Sequence, residues 1–139
     1  MSLFNVFNIT GTGMSAQSMR LNTTASNIAN ADSVSSSIDQ TYRARHPVFA
    51  AAMQKAAAGQ DDTSVGVDVL GIVESNKPLN IEYSPEHPMA DQDGYIYKPN
   101  VNVIEEMTNM ISASQSYQTN VKLAESAKNM LNKTLLLGK

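Results

Sequence analysis

Residues 103–137 read VIEEMTNMISASQSYQTNVKLAESAKNMLNKTLLL, and their pattern decides the fold. Mostly apolar or small residues recur there at alternating steps of three and four, and the mean step of 3.5 residues is typical of helices that pack lengthwise on each other. The pattern predicts a long helix from Asn100 to about Leu137, about 55 Å at 1.5 Å per residue. The positions of this C-terminal stripe are Val103, Met107, Met110, Ser114, Tyr117, Val121, Ala124, Lys128, Leu131 and Leu135.

A helix of that length exceeds the diameter of a compact domain built from 139 residues. Each large apolar side chain on the stripe stabilises the protein by about 1.5–3 kcal/mol when it is fully buried. Left bare, the same side chains form a surface that is prone to aggregation. We therefore expect the stripe to be covered partly by another helix of the chain and partly by other molecules.

A second stripe with the same period occupies the N-terminal end of the chain. It predicts a helix over residues 1 to about 32, although Gly11 and Gly13 each cost about 1 kcal/mol relative to alanine in a helix. Such a helix depends on a partner surface for its stability. The positions of the N-terminal stripe are Phe4, Phe7, Gly11, Met14, Ser18, Leu21, Ala25 and Ile28.

The middle of the chain carries the signals of loops and short strands. Residues 33–41 are rich in serine and predict a loop, and residues 41–50 predict an extended segment. Residues 50–58 are compatible with a short helix that ends at Gly59, or with a strand and loop. Residues 63–75 alternate between apolar and polar and predict a strand bulged at a glycine. Asp93-Gly94 predicts a hairpin turn, with Tyr95 and Tyr97 following on one face.

These signals together predict a mainly α protein with a small β-rich insert. The long N- and C-terminal helices form a coiled-coil-like pair, and short strands and loops form the middle. The expected division is 1–32 for the first helix, 33–99 for the outer loop and strand segment, and 100–139 for the second helix. Asn100 is the expected N-cap of the second helix, with Glu105 and Glu106 in its early turns.

Charge and composition exclude several classes of function. The formal net charge of -3 and the pI near 5.2 predict neither nucleic-acid binding nor attraction to an anionic membrane. No apolar run approaches the roughly 20 residues that span a bilayer, so membrane insertion is not expected. The N-terminus lacks the apolar block of a cleaved signal peptide. The absence of cysteine excludes disulfides and thiolate chemistry.

The residues that carry chemistry in other proteins do not form a recognisable site here. His46 and His87 are 41 positions apart, far from the i, i+4 spacing of a helical metal pair. When Gly94 is set at position 6 of a calcium loop, Met89 and Asn100 occupy positions that require acidic ligands. Neither a nucleophile elbow nor a Walker-type phosphate loop occurs. We expect no catalytic residue, no cofactor and no metal.

Two segments resemble one protein family. Residues 21–31, LNTTASNIANA, are similar to the N-terminal signature of the bacterial flagellar axial proteins, and the Tyr42-Arg43 pair resembles the element that follows it. Residues 87–95, HPMADQDGY, and residues 99–107, PNVNVIEEM, resemble the proximal-rod members of that family. The serine-rich residues 33–40 depart from the family pattern. We call the segment from His87 to Asn100, which carries the proximal-rod resemblance, the signature loop. Its family-signature residues are His87, Pro88, Asp91, Gly94, Tyr95, Pro99 and Asn100.

The resemblance implies a structural subunit that assembles helically through its terminal helices and transmits torque. The implied partners are itself, other flagellar rod proteins, basal-body ring and adaptor components, and the flagellar type III export apparatus. The implied location is the rod in the periplasm, reached without a cleaved signal peptide. A helical interaction module or a secreted effector that oligomerises through its terminal heptads is the alternative. The expected assembly residues are Phe7, Met14, Leu21, Asn27, Ile28, Asn30, Val103, Met107, Met110, Tyr117, Val121, Ala124, Leu131 and Leu135.

Overall fold

The computed structural model describes residues 3–52 and 65–137. Two long helices at the ends of the chain enclose a middle part with two small sheets, so the predicted fold class is confirmed. Most of the short helix or strand expected at residues 50–58 lies outside the described residues. In chain order the elements are helix α1 (Leu3–Asn30), a 3₁₀ turn (Ile38–Gln40), strands β1 (Arg45–Ala51), β2 (Val67–Glu74), β3 (Asn80–Tyr83) and β4 (Tyr95–Lys98), and helix α2 (Val103–Leu137).

The two helices pack against each other in an antiparallel pair. Asn27 near the end of α1 contacts Glu106 near the start of α2, and Gly13 lies against Asn120 further along. The pairs 27 with 106 and 13 with 120 run in opposite directions along the two helices. The predicted coiled-coil-like pair is therefore present, although these contact residues lie beside the two stripes and not on them.

Helix α2 begins two residues later than predicted, because its N-cap is Asn102 and not Asn100. The Oδ1 atom of Asn102 accepts hydrogen bonds from the backbone N–H groups of Ile104 and Glu105, at 3.1 and 3.4 Å. These are two of the donors that the first turn of a helix leaves unsatisfied. The prediction that Asn100 caps this helix is wrong, because the Asn100 side chain bonds to two other segments of the chain.

Strands β1 and β2 form an antiparallel hairpin that packs on α1. Val48 pairs with Gly71 and Phe49 pairs with Val69, so Leu70 is an extra residue and β2 is bulged beside a glycine, as predicted. The hairpin is attached to the helix by a hydrogen bond from the Val67 N–H to the Thr12 hydroxyl, at 3.2 Å.

Strands β3 and β4 form the second sheet, in which Tyr83 pairs with Tyr95 and Ile81 with Tyr97. Residues 84–94 connect the two strands, and the turn that ends at Gly94 stands within this connection. Gly94 has a φ of 83°, a conformation that favours glycine. Ser35 adds two backbone hydrogen bonds to Tyr97, each 3.0 Å long, so the serine-rich loop is tied to the outer edge of β4.

Candidate assembly surface

A cluster of four residues joins α1, the start of β1 and α2; we call Asn27, Tyr42, Arg45 and Glu106 the Asn27 cluster. Asn27 is fully buried. Its Oδ1 atom accepts hydrogen bonds from the Arg45 N–H and the Tyr42 hydroxyl, both at 2.9 Å. Its Nδ2 atom donates to the Arg45 carbonyl at 2.8 Å and to Glu106 Oε2 at 3.1 Å. An asparagine side chain can make four such bonds, and all four are formed.

An ion pair and a cation–π contact of Arg45 stabilise the outer side of this cluster. Arg45 forms a 3.0 Å ion pair with Glu74 on the neighbouring strand. Its guanidinium also lies 5.4 Å from the centre of the Tyr42 ring. Burial raises the pKa of the Tyr42 hydroxyl above its ordinary value, and the charges of Glu106 and Glu74 add to the effect while Arg45 opposes it. Tyr42 therefore remains a neutral donor to Asn27 at physiological pH.

Asn100 holds the same stretch of chain from the other side. Its Oδ1 atom accepts a hydrogen bond from the Ala44 N–H at 2.8 Å, and its Nδ2 atom donates to the carbonyl groups of Ser75 and Lys77. Asn27 and Asn100 thus bond to the adjacent residues Arg45 and Ala44. The two asparagines fix the entry of β1 relative to both helices.

Small and polar residues form the contact between the helices. On α2 the row that faces α1 repeats every seven positions at Glu106, Ala113, Asn120 and Ala127, and Ala113 and Ala127 are buried. On α1 the corresponding positions are Gly13, Arg20 and Asn27: a Cβ atom on Gly13 would lie 3.0 Å from Asn120, and Arg20 bonds to Asn109 at 3.0 Å. We call these two rows the seam.

The predicted apolar stripes lie beside the seam. Met14, Leu21 and Ile28 each follow a seam residue of α1 by one position, and Met107 and Val121 each follow a seam residue of α2 by one position. One position is a rotation of about 100° around a helix. Because the helices are antiparallel, equal rotations bring both stripes to the same side of the pair.

The β1–β2 hairpin lies on the opposite side. Thr12 and Met19 each precede a seam residue of α1 by one position, which is a rotation in the other direction. Thr12 bonds to β2, and Met19 lines a groove with Ile72 of the same strand. The helix pair therefore carries the hairpin on one side and the apolar stripes on the other. We call the striped side the apolar face.

The predicted assembly residues differ in exposure. Asn27 alone among them is buried, within its own cluster, and Asn30 bonds to Ser26 in its own helix. Phe7, Met14, Leu21, Ile28, Met110, Ala124 and Leu131 are half-buried. Val103, Met107, Tyr117, Val121 and Leu135 are exposed, with between 37% and 64% of their surface accessible.

The predicted signature loop is a compact turn built around Asp91. Asp91 Oδ1 accepts hydrogen bonds from the N–H groups of Asp93 and Tyr95, and Oδ2 accepts from the Tyr97 hydroxyl at 3.1 Å. The bond from Tyr95 is the main reason that the pKa of Asp91 is lowered. His87 Nδ1 accepts from the Met89 N–H. Pro88 belongs to the same loop, Pro99 is buried, and Asn100 bonds as described above.

The described part of the chain offers no geometry for a metal site. Within it, no group of three His, Asp or Glu side chains is placed to hold a metal ion. None of the described helices has the length and hydropathy of a membrane span.

Comparison with known proteins identifies the family to which this chain belongs. The family model described as "Flagella basal body rod protein" matches residues 7–35, and "Flagellar basal body rod FlgEFG protein C-terminal" matches residues 92–137. The chain is 47% identical over 138 residues to the flagellar basal-body rod protein FlgC of Salmonella typhimurium, with 99% of both chains covered. The chain belongs to the FlgC family of flagellar basal-body rod proteins. Its function is that of a structural rod subunit.

Other members of the FlgC family agree along the whole length. The FlgC protein of Escherichia coli O157:H7 is 48% identical over 139 residues, with 99% of each chain covered. The FlgC protein of Buchnera aphidicola from Acyrthosiphon pisum is 41% identical over 139 residues, with 99% of this chain and 98% of the relative covered. The resemblance to the flagellar axial family proposed from the sequence is confirmed.

Reasoning from the sequence missed several residues that organise this surface. The sequence assigned no role to Arg45 and placed Glu106 only in the early turns of the second helix, yet both complete the Asn27 cluster. Asn120 reads as a polar position off the stripe, yet it faces Gly13. The sequence does contain a signal for this row, namely the seven-residue spacing of Glu106, Ala113, Asn120 and Ala127. Because two of these residues are polar, the row does not appear as an apolar repeat.

Proposed function

We propose that this rod subunit assembles through the apolar face of its helix pair and passes torque along the flagellar rod. The observation that carries the proposal is the position of the two apolar stripes, side by side and opposite the hairpin. A single chain leaves Met107, Val121 and Leu135 exposed along this face. Burial against neighbouring subunits removes that apolar surface from water and is the main source of free energy for assembly.

The seam supports this division of labour. Small side chains and specific hydrogen bonds hold the two helices of one subunit together, so the large apolar residues remain for contacts between subunits. A helix pair that meets different patches on its neighbours forms open helical assemblies, and a rod is one such assembly. Many apolar contacts acting in parallel resist twisting, which is the property that torque transmission requires.

The three-part organisation follows from the same proposal. Residues 1–32 and 100–139 form the axial core, and residues 33–99 form the outer segment. The partners are other rod proteins, basal-body ring and adaptor components and further copies of this chain, with the flagellar type III apparatus as the route of export. The working location is the periplasm, reached without a cleaved signal peptide, and the role is mechanical with no catalytic step.

The proposal is tested by replacing Leu131 with aspartate in a strain that lacks the chromosomal copy of the gene. Leu131 is a half-buried residue of the apolar face, so the aspartate introduces a negative charge into that face. We expect Leu131→Asp protein to be exported, while isolated basal bodies lack a complete rod and the cells do not swim. Complete rods and normal swimming with this variant would contradict assembly through the apolar face.

A further inference from the structure

The β3–β4 sheet presents an aromatic surface that the helix pair does not use; we call Ile81, Tyr83, Tyr95 and Tyr97 the tyrosine face. Paired strands place these four side chains on one side of the sheet. Between 42% and 65% of the surface of Ile81, Tyr83 and Tyr95 is accessible. The Tyr83 and Tyr95 rings meet edge to face with 5.2 Å between their centres. The opposite side of the sheet carries Ile96, which is buried.

The free edge of this sheet is strand β3. Ser84 N–H bonds to the Gly94 carbonyl across the sheet, so alternate residues of β3 direct their backbone groups toward β4. By that alternation, Ile81 and Tyr83 direct theirs outward. Within the described residues, no other strand pairs with this edge. An added strand can therefore bond to the backbone of Ile81 and Tyr83 and place alternate side chains on the tyrosine face.

The surroundings of the tyrosine face are acidic. Residues 81–98 carry four carboxylates and one lysine, and Lys98 bonds to Glu82, which leaves Glu86, Asp91 and Asp93 as the remaining charges. Asp91 Oδ2 lies 3.1 Å from the Tyr97 hydroxyl. The hydrogen bond to Asp91 is the main cause that raises the pKa of Tyr97, and the charge of Asp93 contributes as well. Asp91 therefore borders the tyrosine face at the Tyr97 hydroxyl.

Tyrosine rings beside carboxylates are the combination that binds cationic side chains. A guanidinium or ammonium group is attracted to the face of an aromatic ring, and arginine makes such contacts more often than lysine. The planar guanidinium also stacks on rings and bonds to carboxylates in pairs. The acidic charge thus favours an arginine-bearing occupant, and the open strand edge favours one with an extended backbone.

We propose that the tyrosine face and the free edge of β3 bind an extended, arginine-bearing segment of a neighbouring subunit that is a different protein from this chain. The inference builds on the rod function proposed above, because it names the chemistry of a partner for the outer segment. The signature loop then has a defined role, since the Asp91 turn fixes Tyr95 and Tyr97 and supplies the negative charge at their side.

The test uses the full-length chain, labelled for NMR at its tyrosine rings, and three capped peptides as probes. The peptides alternate valine with arginine, with glutamine or with glutamate. We expect saturable shifts of the Tyr83 and Tyr95 rings with the arginine peptide, binding at least about tenfold weaker for the other two, and weaker binding at high salt. Equal binding of the arginine and glutamate peptides would overturn the inference.

Matched variants locate the binding. Tyr83→Ala and Asp93→Asn are each expected to weaken binding of the arginine peptide several-fold, while Phe49→Ala, an exposed aromatic on the other hairpin, leaves it unchanged. Asp93→Asn keeps the test valid if Tyr83→Ala disturbs the sheet, because the Asp93 backbone makes the turn bond. Binding that survives Asp93→Asn would count against the proposal.

Two further arms identify other occupants. If diluting the chain alone moves the Tyr83 signals, a second copy occupies the face and the inference is wrong. If a neutral N-acetylglucosamine oligosaccharide produces the shifts and the arginine peptide does not, the face binds sugar and the inference is also wrong. Failure in any arm leaves the rod function in place, whereas normal rods in a strain lacking this protein would remove that function without affecting the titration.

Discussion

Asn27 Nδ2 donates a hydrogen bond to Glu106 Oε2 over 3.1 Å and so joins two helices through residues 79 positions apart. Both residues are buried. The same asparagine bonds to Tyr42 and to the backbone of Arg45. A buried carboxylate and a partly buried hydroxyl thus depend on one side chain for their hydrogen bonds, and the angle between the helices and β1 depends on it too.

Replacing Asn27 with alanine is expected to lower the free energy of unfolding by about 2–4 kcal/mol, because it leaves several buried polar groups without partners. Urea unfolding followed by circular dichroism measures the change. Asn30→Ala is the matched control, since Asn30 makes one exposed bond within its own helix, and it is expected to cost less than about 0.5 kcal/mol. Equal costs for the two variants would show that the Asn27 cluster contributes no special stability.

Two glycines are expected to respond to alanine in opposite directions. A Cβ atom on Gly66 would lie 2.6 Å from the Thr12 hydroxyl, whereas one on Gly11 meets nothing within 4 Å. Gly66→Ala is therefore expected to destabilise the protein by about 1–3 kcal/mol, and Gly11→Ala to stabilise α1 by about 0.5–1 kcal/mol. Thermal unfolding measures both.

The Gly66 effect has its own control. Thr12→Ala removes the two atoms closest to a Cβ at position 66, Oγ1 and Cγ2, so Gly66→Ala is expected to cost less in that background than in the native chain. The same cost in both backgrounds would mean that the contact between position 66 and Thr12 is not the cause.

The Asp91 turn is expected to depend on pH. Hydrogen bonds hold the pKa of Asp91 below its ordinary value, with the Tyr95 N–H as the largest cause. The stabilisation from a lowered carboxyl pKa is present above the unfolded value of about 3.9 and is lost as the pH falls through the folded pKa. An NMR titration should therefore give Asp91 a midpoint below about 3.9, with the Tyr95 amide signal moving at the same midpoint.

Tyr97→Phe refines this prediction. It removes one donor to Asp91 and keeps the larger bond from Tyr95, so the Asp91 midpoint is expected to rise while remaining below its ordinary value. A midpoint at the ordinary value in the native chain would show that these hydrogen bonds do not form in solution.

Periodicity predicted the elements of this fold well. The repeats gave both long helices, and the glycine in an alternating segment gave the bulge of β2. Asp93-Gly94 lies in a turn before β4, but it is not the predicted hairpin turn, because the whole of residues 84–94 connects β3 to β4. Alternation also placed Tyr95 and Tyr97 on one face, which the register of β4 confirms. Each of these features is determined by residues that are close together in the sequence. The residues of a single segment are therefore enough to predict it.

The seam and the cap required information from distant parts of the chain. Gly13 and Asn120 match only once the two helices are aligned, and neither is apolar. Asn100 and Asn102 both precede an acidic first turn, so local sequence favours neither as the cap. The backbone groups of Ala44, Ser75 and Lys77 decide between them, because they take the Asn100 side chain and leave Asn102 to begin the helix.

The most direct test of the account is a pair of aspartate variants on opposite sides of α2. Val121 lies on the apolar face and is 40% exposed, while Thr119 is exposed and points about 160° away around the helix. Both positions tolerate a charge in the single chain, so unfolding temperatures should stay close to that of the native protein. In a strain that lacks the chromosomal copy, rod assembly and swimming are measured for each variant. The account predicts that Val121→Asp abolishes both and that Thr119→Asp preserves both; normal rods with Val121→Asp would contradict it.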